Sequence, residues 1–394
     1  MYWFGWCLFG FVALWTIPPT IASVFKQLRP LRLREPAGPG AAQDSLRPDT
    51  RSLSLVTVIV PAKNEEAQIR TALETILRST HVRLELIAVN DRSSDQTGAI
   101  MDDVARGDDR LRVIHISELP EGWLGKNHAM HVAAQQAKGE WILFTDGDVI
   151  YEPLAIASAV DYSERLKLQH LTLLPRMLPG RMIENATVAF FGLSFTIGMH
   201  LHLIRTAWPF SYAGVGAFNL IRADFYRSFG GHTPIAMDVL DDVKLGKLVK
   251  RNGGVQDFLS ASDLLSIRWQ PSFWGVITGL EKNGFAALSY SIRQLLLMTA
   301  VFVVMMIGPY FMAAALPRES ASGFIATVLL WHSVYGIASV LSGGGWRLIP
   351  WFPIGAISLA FAFWRSAVIT LRQGGVRWRD SFYPLAQLRS RMYR

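Results

Sequence analysis

The sequence predicts an α/β domain built on a mostly parallel sheet, with transmembrane helices at both its N- and C-terminal ends. Three observations predict it. Apolar residues make up 51% of the 394 positions, and they are gathered in blocks rather than spread evenly. From residue 53 onward, short β-branched runs alternate four times with helical patterns, as strands joined by right-handed crossovers do. Acidic residues stand directly behind three of those runs, where parallel sheets bind ligands.

Residues 1–25 carry no charge and are long enough for a membrane helix. They lack a basic start and a small-residue cleavage site, so the segment reads as a retained anchor rather than a cleaved signal. Lys26, Arg29, Arg32, Arg34, Arg47 and Arg51 follow it. By the positive-inside rule the N-terminus is outside and the next domain is cytoplasmic, at the cell (inner) membrane of a multi-pass protein. The net charge of +8 comes from arginines that flank apolar runs. They form no stripe with interleaved aromatics, which argues against nucleic acid as a partner. Cys7 is the one cysteine, so no intrachain disulfide can form.

Residues 26–52 read as a basic linker, rich in Pro and Gly over 35–49. The runs 53–61, 84–91, 111–116 and 141–146 then read as buried strands. Ile69, Leu73, Ile76 and Leu77 fall at helical spacing after the first strand. A second helix is expected over 94–106, capped by Ser94 or Asp95, and a third over 126–139, ended by Gly139. The soluble domain is expected to extend to residue 292, followed by a membrane region over 293–371 and a basic tail over 372–394. In the membrane region Leu295–Leu316 is an uncharged run, and 323–341 and 348–364 are borderline in length. Counting all four runs as spans puts the arginine-rich tail outside, against the positive-inside rule. Either the last two are not both full spans, or an interfacial segment is miscounted.

The stretch WILFTDGDV ends an apolar run at two carboxylates, Asp146 and Asp148, around Gly147. Unpaired buried charge costs several kcal/mol, so the pair needs a partner or a cation. Lys63, Asn64 and Glu65 follow the first strand, and Asn90 and Asp91 the second. Any one of these reads equally well as a loop charge or a helix cap. Three clusters on one edge fit a nucleotide-diphosphate sugar, whose diphosphate takes Mg2+ or Mn2+ through one or two carboxylates and water. Residues two apart on a strand point the same way, and the glycine permits a close approach. The metal would act as a Lewis acid on the departing diphosphate.

The strings VTVIVPAKNEE, LIAVNDRSSDQT, GKNHAMHVAAQQAKGEWILFTDGDV and FGGHTPIAMDVLDDVKLG resemble, in order, the motifs of family 2 glycosyltransferases of GT-A fold. The likeness covers about residues 54–290 and is nearest the membrane-anchored branch that glycosylates hopanoids, carotenoids and ceramide. GGVRWRDSFYPLAQLR near the C-terminus is similar to the tail of that branch. The resemblance implies that Glu65 and Asp91 contact the nucleoside, with Pro61 and Ala62 shaping the loop beneath the base. It implies Lys126 near the donor, Asp146 and Asp148 on the metal, and Asp242 as general base. Asp241 stands where the family usually has Glu. An inverting transfer needs a group to take the acceptor hydroxyl proton, and a carboxylate suffices. Asp241 and Asp242 also read as the acidic first turn of a helix, which is compatible with that role. Processive members carry Gln-x-x-Arg-Trp; here SDLLSIRW keeps Arg268 and Trp269 but has Leu265 in place of Gln. That favours transfer of a single sugar and leaves Arg268 and Trp269 as weak candidates, alongside a reading as an amphipathic rim.

The apolar segments 185–210 and 275–292 lie within the soluble part. They are expected as helices in the bilayer interface, which points to a membrane lipid as acceptor. The alternative for the first is an ordinary buried helix. AGVGAFNLIR and FGGH supply glycines for close backbone approach, and His232 is a weak candidate for a phosphate contact against a reading as a packed loop residue. Two other functions fit the same residues: a polyprenyl-phosphate sugar transferase, and a non-catalytic membrane subunit that binds nucleotide sugar. The intact set Asp91, Asp146, Asp148 and Asp242 argues against the second.

Overall fold

The computed structural model describes residues 1–27, 31, 53–178, 180–270 and 272–393. The expected linker and the arginines at 29, 32, 34, 47 and 51 lie outside them. The first helix, α1, runs Tyr2–Gln27.

The expected alternation follows. It comprises β1 (Leu55–Ala62), α2 (Ile69–Leu77), β2 (Arg83–Asp91), α3 (Thr97–Gly107), β3 (Leu111–Ile116), α4 (Gly125–Gln135) and β4 (Trp141–Phe144). Then come β5 (Ile150–Tyr151), α5 (Ala155–Arg165), β6 (His170–Leu174), β7 (Arg176–Met177) and α6 (Met182–Gly198). After these lie β8 (Asn219–Arg222), α7 (Ala223–Ser228), α8 (Asp241–Arg251), β9 (Gln256–Ser260) and β10 (Leu265–Ile267). The main sheet has the order β3-β2-β1-β4-β8-β6-β9. Its first four strands are parallel and β8 is antiparallel to both neighbours. A second, three-stranded sheet has the order β5-β10-β7.

β1 shows why the sheet is buried on both faces. Val58 and Val60 pack with Ile69 and Leu73 of α2, while Ile59 joins Ala129 and Met130 of α4 on the other side. Each such fully buried aliphatic side chain contributes roughly 1.5–3 kcal/mol. Two local expectations need correction. α4 ends at Gln135, because Gly139 is needed elsewhere: its N–H donates to Thr57 Oγ1 at 2.8 Å, and a Cβ there would stand 2.5 Å from the Thr57 nitrogen. β4 stops at Phe144, so Asp146 and Asp148 lie in the turn beyond it and strand alternation does not orient them. Asp95 does act at the start of α3, its Oδ1 accepting from the Thr97 N–H at 3.0 Å.

The remaining elements are α9 (Phe273–Gly279), α10 (Glu281–Ala287), α11 (Ile292–Phe302), α12 (Gly308–Ala315), α13 (Arg318–Leu341) and α14 (Phe352–Gln373). A hairpin, β11 (Gly375–Trp378) and β12 (Ser381–Pro384), and α15 (Leu385–Arg391) follow. Among the described residues, four helical segments are long and apolar enough to cross a membrane: Tyr2–Lys26, Ile292–Ala315, Arg318–Leu341 and Trp346–Gln373. α11 and α12 are joined by a π-turn, Val303–Ile307. Pro309 has no N–H for the Met305 carbonyl, and the Trp331 indole donates to it instead at 3.0 Å. α1 lies along α13, where Gly323 meets the Gly5 backbone so closely that a Cβ would stand 2.4 Å away.

The path after α13 bears on the conflict over the tail. A short 3-10 helix, Trp346–Trp351, doubles back along α13, with the Ile349 carbonyl 3.0 Å from His332 Nδ1. α14 therefore starts with Phe352 against Trp331 and Tyr335, ring centroids 5.8 and 5.6 Å apart. That is about ten residues, or ~15 Å, back from the end of α13. From there α14 passes α6, with Gly355 against the Ala186 backbone, and α10, where Ser366 Oγ accepts from the Phe285 N–H. It delivers the β11–β12 hairpin to the sheet domain: Tyr383 OH accepts from the Gly125 N–H at 3.3 Å, and Asp380 pairs with Lys63 at 3.3 Å. Lys26, at the end of α1, also meets that domain through Asp257 at 2.6 Å. The end of α1 and the hairpin after α14 thus both contact the sheet domain.

Candidate active site

The ends of β1, β2 and β4, the start of α4, the loop before β8 and the start of α8 converge on one cavity of about 950 Å3. Pro61, Ala62, Glu65, Asp91, Lys126, Asp146, Asp148, Asp241 and Asp242 all line it. The structure brings together residues that lie up to 181 positions apart in the chain, from Pro61 to Asp242.

Gly216 organises the centre. Its carbonyl accepts from the Asp146 N–H at 3.0 Å, and its own N–H donates to Asp242 Oδ2 at 2.9 Å. A Cβ at this position would stand 2.4 Å from Asp146 Oδ2, so only glycine lets the two acids approach. Gly214 works similarly, packed so tightly on the first turn of α8 that a Cβ would stand 1.7 Å from the Asp242 carbonyl oxygen. Asp241 and Asp242 do form the acidic first turn of that helix. Gly147, between Asp146 and Asp148, backs onto Ile69 and Ala62.

Lys126 Nζ lies 2.8 Å from Asp146 Oδ1 and 3.2 Å from Asp241 Oδ2. Burial works against its charge, but Asp146, Asp241 and Asp242 outweigh burial and hold its pKa above the usual lysine value. The same pairing keeps Asp146 ionised against burial. Asp148 has no such cation. Burial, then the charges of Asp146 and Glu65, push its pKa up to about 7, and its Oδ1 is buried with no hydrogen-bond partner. Asp242 is likewise raised to about 7, by burial and then by Asp241. Its Oδ1 accepts from the Val243 N–H at 2.8 Å, yet the side chain stays partly open to the cleft.

These features bear on a metal. An orphaned carboxylate oxygen on Asp148 beside ionised Asp146 fits a divalent cation. Among the described residues no group of three or more ligand-type side chains forms; a cation seated by Asp146 and Asp148 would take its other positions from phosphate oxygens and water.

At the end of β2, Asp91 is buried and held by Arg92 through Nε and Nη2 at 2.7 and 3.0 Å. Glu65 is paired with Arg379 of the hairpin. Among the weak candidates, Trp269 lines the cavity and stacks on Phe191 with centroids 5.2 Å apart. Arg268 is exposed and does not line it. His232 has the packing that the alternative reading expects. It is 1% exposed, packed on Phe144 and bonded through Nδ1 to Tyr226 OH at 2.6 Å, and burial pushes its pKa down to about 3. It lines a small pocket behind Lys126, Asp241 and Asp242 and is not among the residues that line the larger cavity. Gly216 lies in the AGVGAFNLIR string read for close backbone approach, whereas sequence reasoning missed Lys282, Trp378, Arg379 and Tyr383; all five line the cavity. The glycine run 214–216 and the WRD triplet at 378–380 were the available signals.

A mixed, mostly parallel sheet with a carboxylate cluster at its strand ends defines the GT-A class of glycosyltransferase domain. Residues 57–171 match the model of glycosyl transferase family 2, which supports a family 2 glycosyltransferase domain. The chain is similar to the uncharacterized glycosyltransferase EpsJ of Bacillus subtilis (strain 168), 38% identical over 96 residues, which cover 24% of this chain and 26% of that protein. It is similar to 4,4'-diaponeurosporenoate glycosyltransferase of Staphylococcus aureus (strain MRSA252), 26% identical over 193 residues, 48% of this chain and 50% of that one. The matches thus span between a quarter and a half of these relatives. In fold the chain is similar to the mannosyltransferase PcManGT of Pyrobaculum calidifontis, solved with GDP-Man and Mn2+. The TM-score is 0.50 at 16% identity, over 92% of this chain and 97% of that one.

Proposed function

We propose that the protein is an inverting glycosyltransferase that moves one sugar from a nucleotide-diphosphate sugar to a membrane lipid. The observation that carries this reading is the shape of the cavity. One end holds the carboxylates, and the other is apolar, lined by Phe191, Phe195, Leu280, Met298, Phe302 and Phe363 from α6, α9–α11 and α14. An alkyl chain fits such a wall, and the hydroxyl it carries would then meet Asp242. The Staphylococcus relative is named for 4,4'-diaponeurosporenoate, a long apolar chain whose reactive end is a carboxylate in place of a hydroxyl.

In this mechanism Pro61, Ala62, Glu65 and Asp91 frame the nucleoside. Asp146 and Asp148 would hold Mg2+ or Mn2+, which when bound offsets charge on the leaving diphosphate. Lys126 fixes Asp146 and Asp241 relative to each other. Asp242, with its raised pKa, takes the proton from the acceptor hydroxyl as that oxygen attacks the anomeric carbon, and Gly216 N–H holds the carboxylate in place. The apolar wall keeps bulk water from competing as acceptor.

For topology, we propose that α1, α11–α12 and α13 cross the bilayer and that residues 342–373 enter and return. The N-terminus is then outside, and the sheet domain and arginine-rich tail share the cytoplasmic side, in accord with the positive-inside rule. On this reading the catalytic unit comprises 53–292 together with the 372–394 tail.

The test is transfer itself. Membranes carrying the protein, given Mn2+ and radiolabelled UDP- or GDP-sugars, are expected to move label into solvent-extractable lipid, and Asp242→Asn membranes are not. Label that is released by mild acid as a sugar phosphate would favour the polyprenyl-phosphate acceptor. No labelled lipid with any donor would contradict the proposal.

A further inference from the structure

The cleft has a charge problem that its recognised motifs do not solve. Glu65, Asp91, Asp146, Asp148, Asp241 and Asp242 line it, and a nucleoside diphosphate adds more negative charge. Lys126 is already shared by two carboxylates, Arg92 is committed to Asp91, and Lys63 to Asp380.

Lys282 of α10 lines the same cavity, and its charge acts on Asp241, Asp146 and Asp242. Among the described residues no carboxylate pairs with it. Its Nζ lies 3.8 Å from the ring centroid of Trp378, a cation–π contact that holds the ammonium without neutralising it. Burial and the Lys126 charge push its pKa down to about 8, the mark of a cation short of counter-charge. Arg379 follows Trp378 at the turn of the hairpin, in the left-handed conformation at φ 53°. It crosses to Glu65 of the nucleoside loop, and its charge reaches Asp146. The hairpin is fixed on both sides, by Tyr383 to Gly125 and by Asp380 to Lys63.

We propose that Lys282 and Arg379 bind the diphosphate of the donor, making the C-terminal hairpin one wall of the nucleotide site. This rests on the nucleotide-sugar reading above. The ammonium supplies a point charge, and the guanidinium exchanges Glu65 for phosphate oxygens of matching geometry. The tail then links the end of the membrane region to donor binding.

The experiment is calorimetric titration of the full-length protein in detergent with UDP and with GDP, each with Mn2+. Lys282→Ala and Arg379→Ala are each expected to raise Kd at least about tenfold, the scale of a charged hydrogen bond, and Arg379→Lys to recover part of the loss. Displacement by the corresponding nucleoside, which lacks phosphate, is expected to be unchanged. Arg377→Ala, exposed on the same hairpin, is the control and is expected to bind like wild type. Equal Kd in wild type and both alanine variants overturns the proposal. So does an Arg377→Ala loss of equal size with a lowered Tm, since the hairpin would then act through folding alone. A wild-type protein that binds neither nucleotide overturns the donor reading itself.

Discussion

The backbone N–H of Gly216 donates to Oδ2 of Asp242 at 2.9 Å, and so ties the acid proposed as base to the loop that also holds Asp146. The link predicts how Gly216→Ala behaves. The new methyl meets the end of the Asp146 side chain, which can rotate, so the fold survives and the carboxylate moves. A displacement near 1 Å costs about 100-fold in rate. Turnover is expected to fall by about that factor with Tm within a few degrees of wild type, checked by initial rates and thermal melts.

Asp242→Asn removes the proton acceptor while keeping the shape and the bond from Gly216. Transfer is expected to drop by at least about 100-fold, within the range general bases supply. Nucleotide affinity, measured by calorimetry, is expected to change less than about threefold. A variant that turns over normally would remove Asp242 from the role of base.

The raised carboxylates give opposite pH trends for stability and activity. Asp148 and Asp242 titrate near 7 in the folded chain and at 3.8 as free carboxyls. Between those values the folded state binds more protons than the unfolded state, so the stability contributed by these groups falls as pH rises through that window. Tm of the protein in chelator is expected to be higher at pH 5 than at pH 8. Transfer needs ionised Asp242, so kcat/KM is expected to rise from pH 6 to pH 8. An acid limb absent from the pH profile would count against this assignment.

Gly192 tests the acceptor wall. It lies on α6, lines the cavity, and has nothing within 4 Å of where a Cβ would project. Gly192→Phe is expected to fill space used by the lipid and to improve helix propensity. Transfer to lipid should fall sharply while UDP or GDP affinity holds, as read by product chromatography beside calorimetry.

The parallel strands and the acidic clusters were legible because both are local. A β-branched run followed by Asp or Glu is visible in ten residues, and β3 was read to the residue. The turn that carries Asp146 and Asp148 was misread as strand, since nothing in WILFTDGDV marks Phe144 as the last paired residue. The WRD triplet marked Trp378 and Arg379 without giving their place, and Lys282 carried no signal: the role proposed for them depends on α14 returning the tail across more than 300 positions to Glu65. The start of Phe352 beside Trp331 was equally hidden, because hydropathy measures length alone; the topology proposed above rests on that contact.

The central claim, that Asp146 and Asp148 seat a divalent ion and an activated sugar beside a lipid chamber, is tested most directly by nucleoside-diphosphate release. Purified full-length protein is incubated with UDP- and GDP-sugars, with Mn2+ or EDTA, and with or without total membrane lipid. Release that requires both Mn2+ and lipid, and that is lost in Asp148→Asn, is the result expected. Release that is unchanged by EDTA and by Asp148→Asn would contradict it.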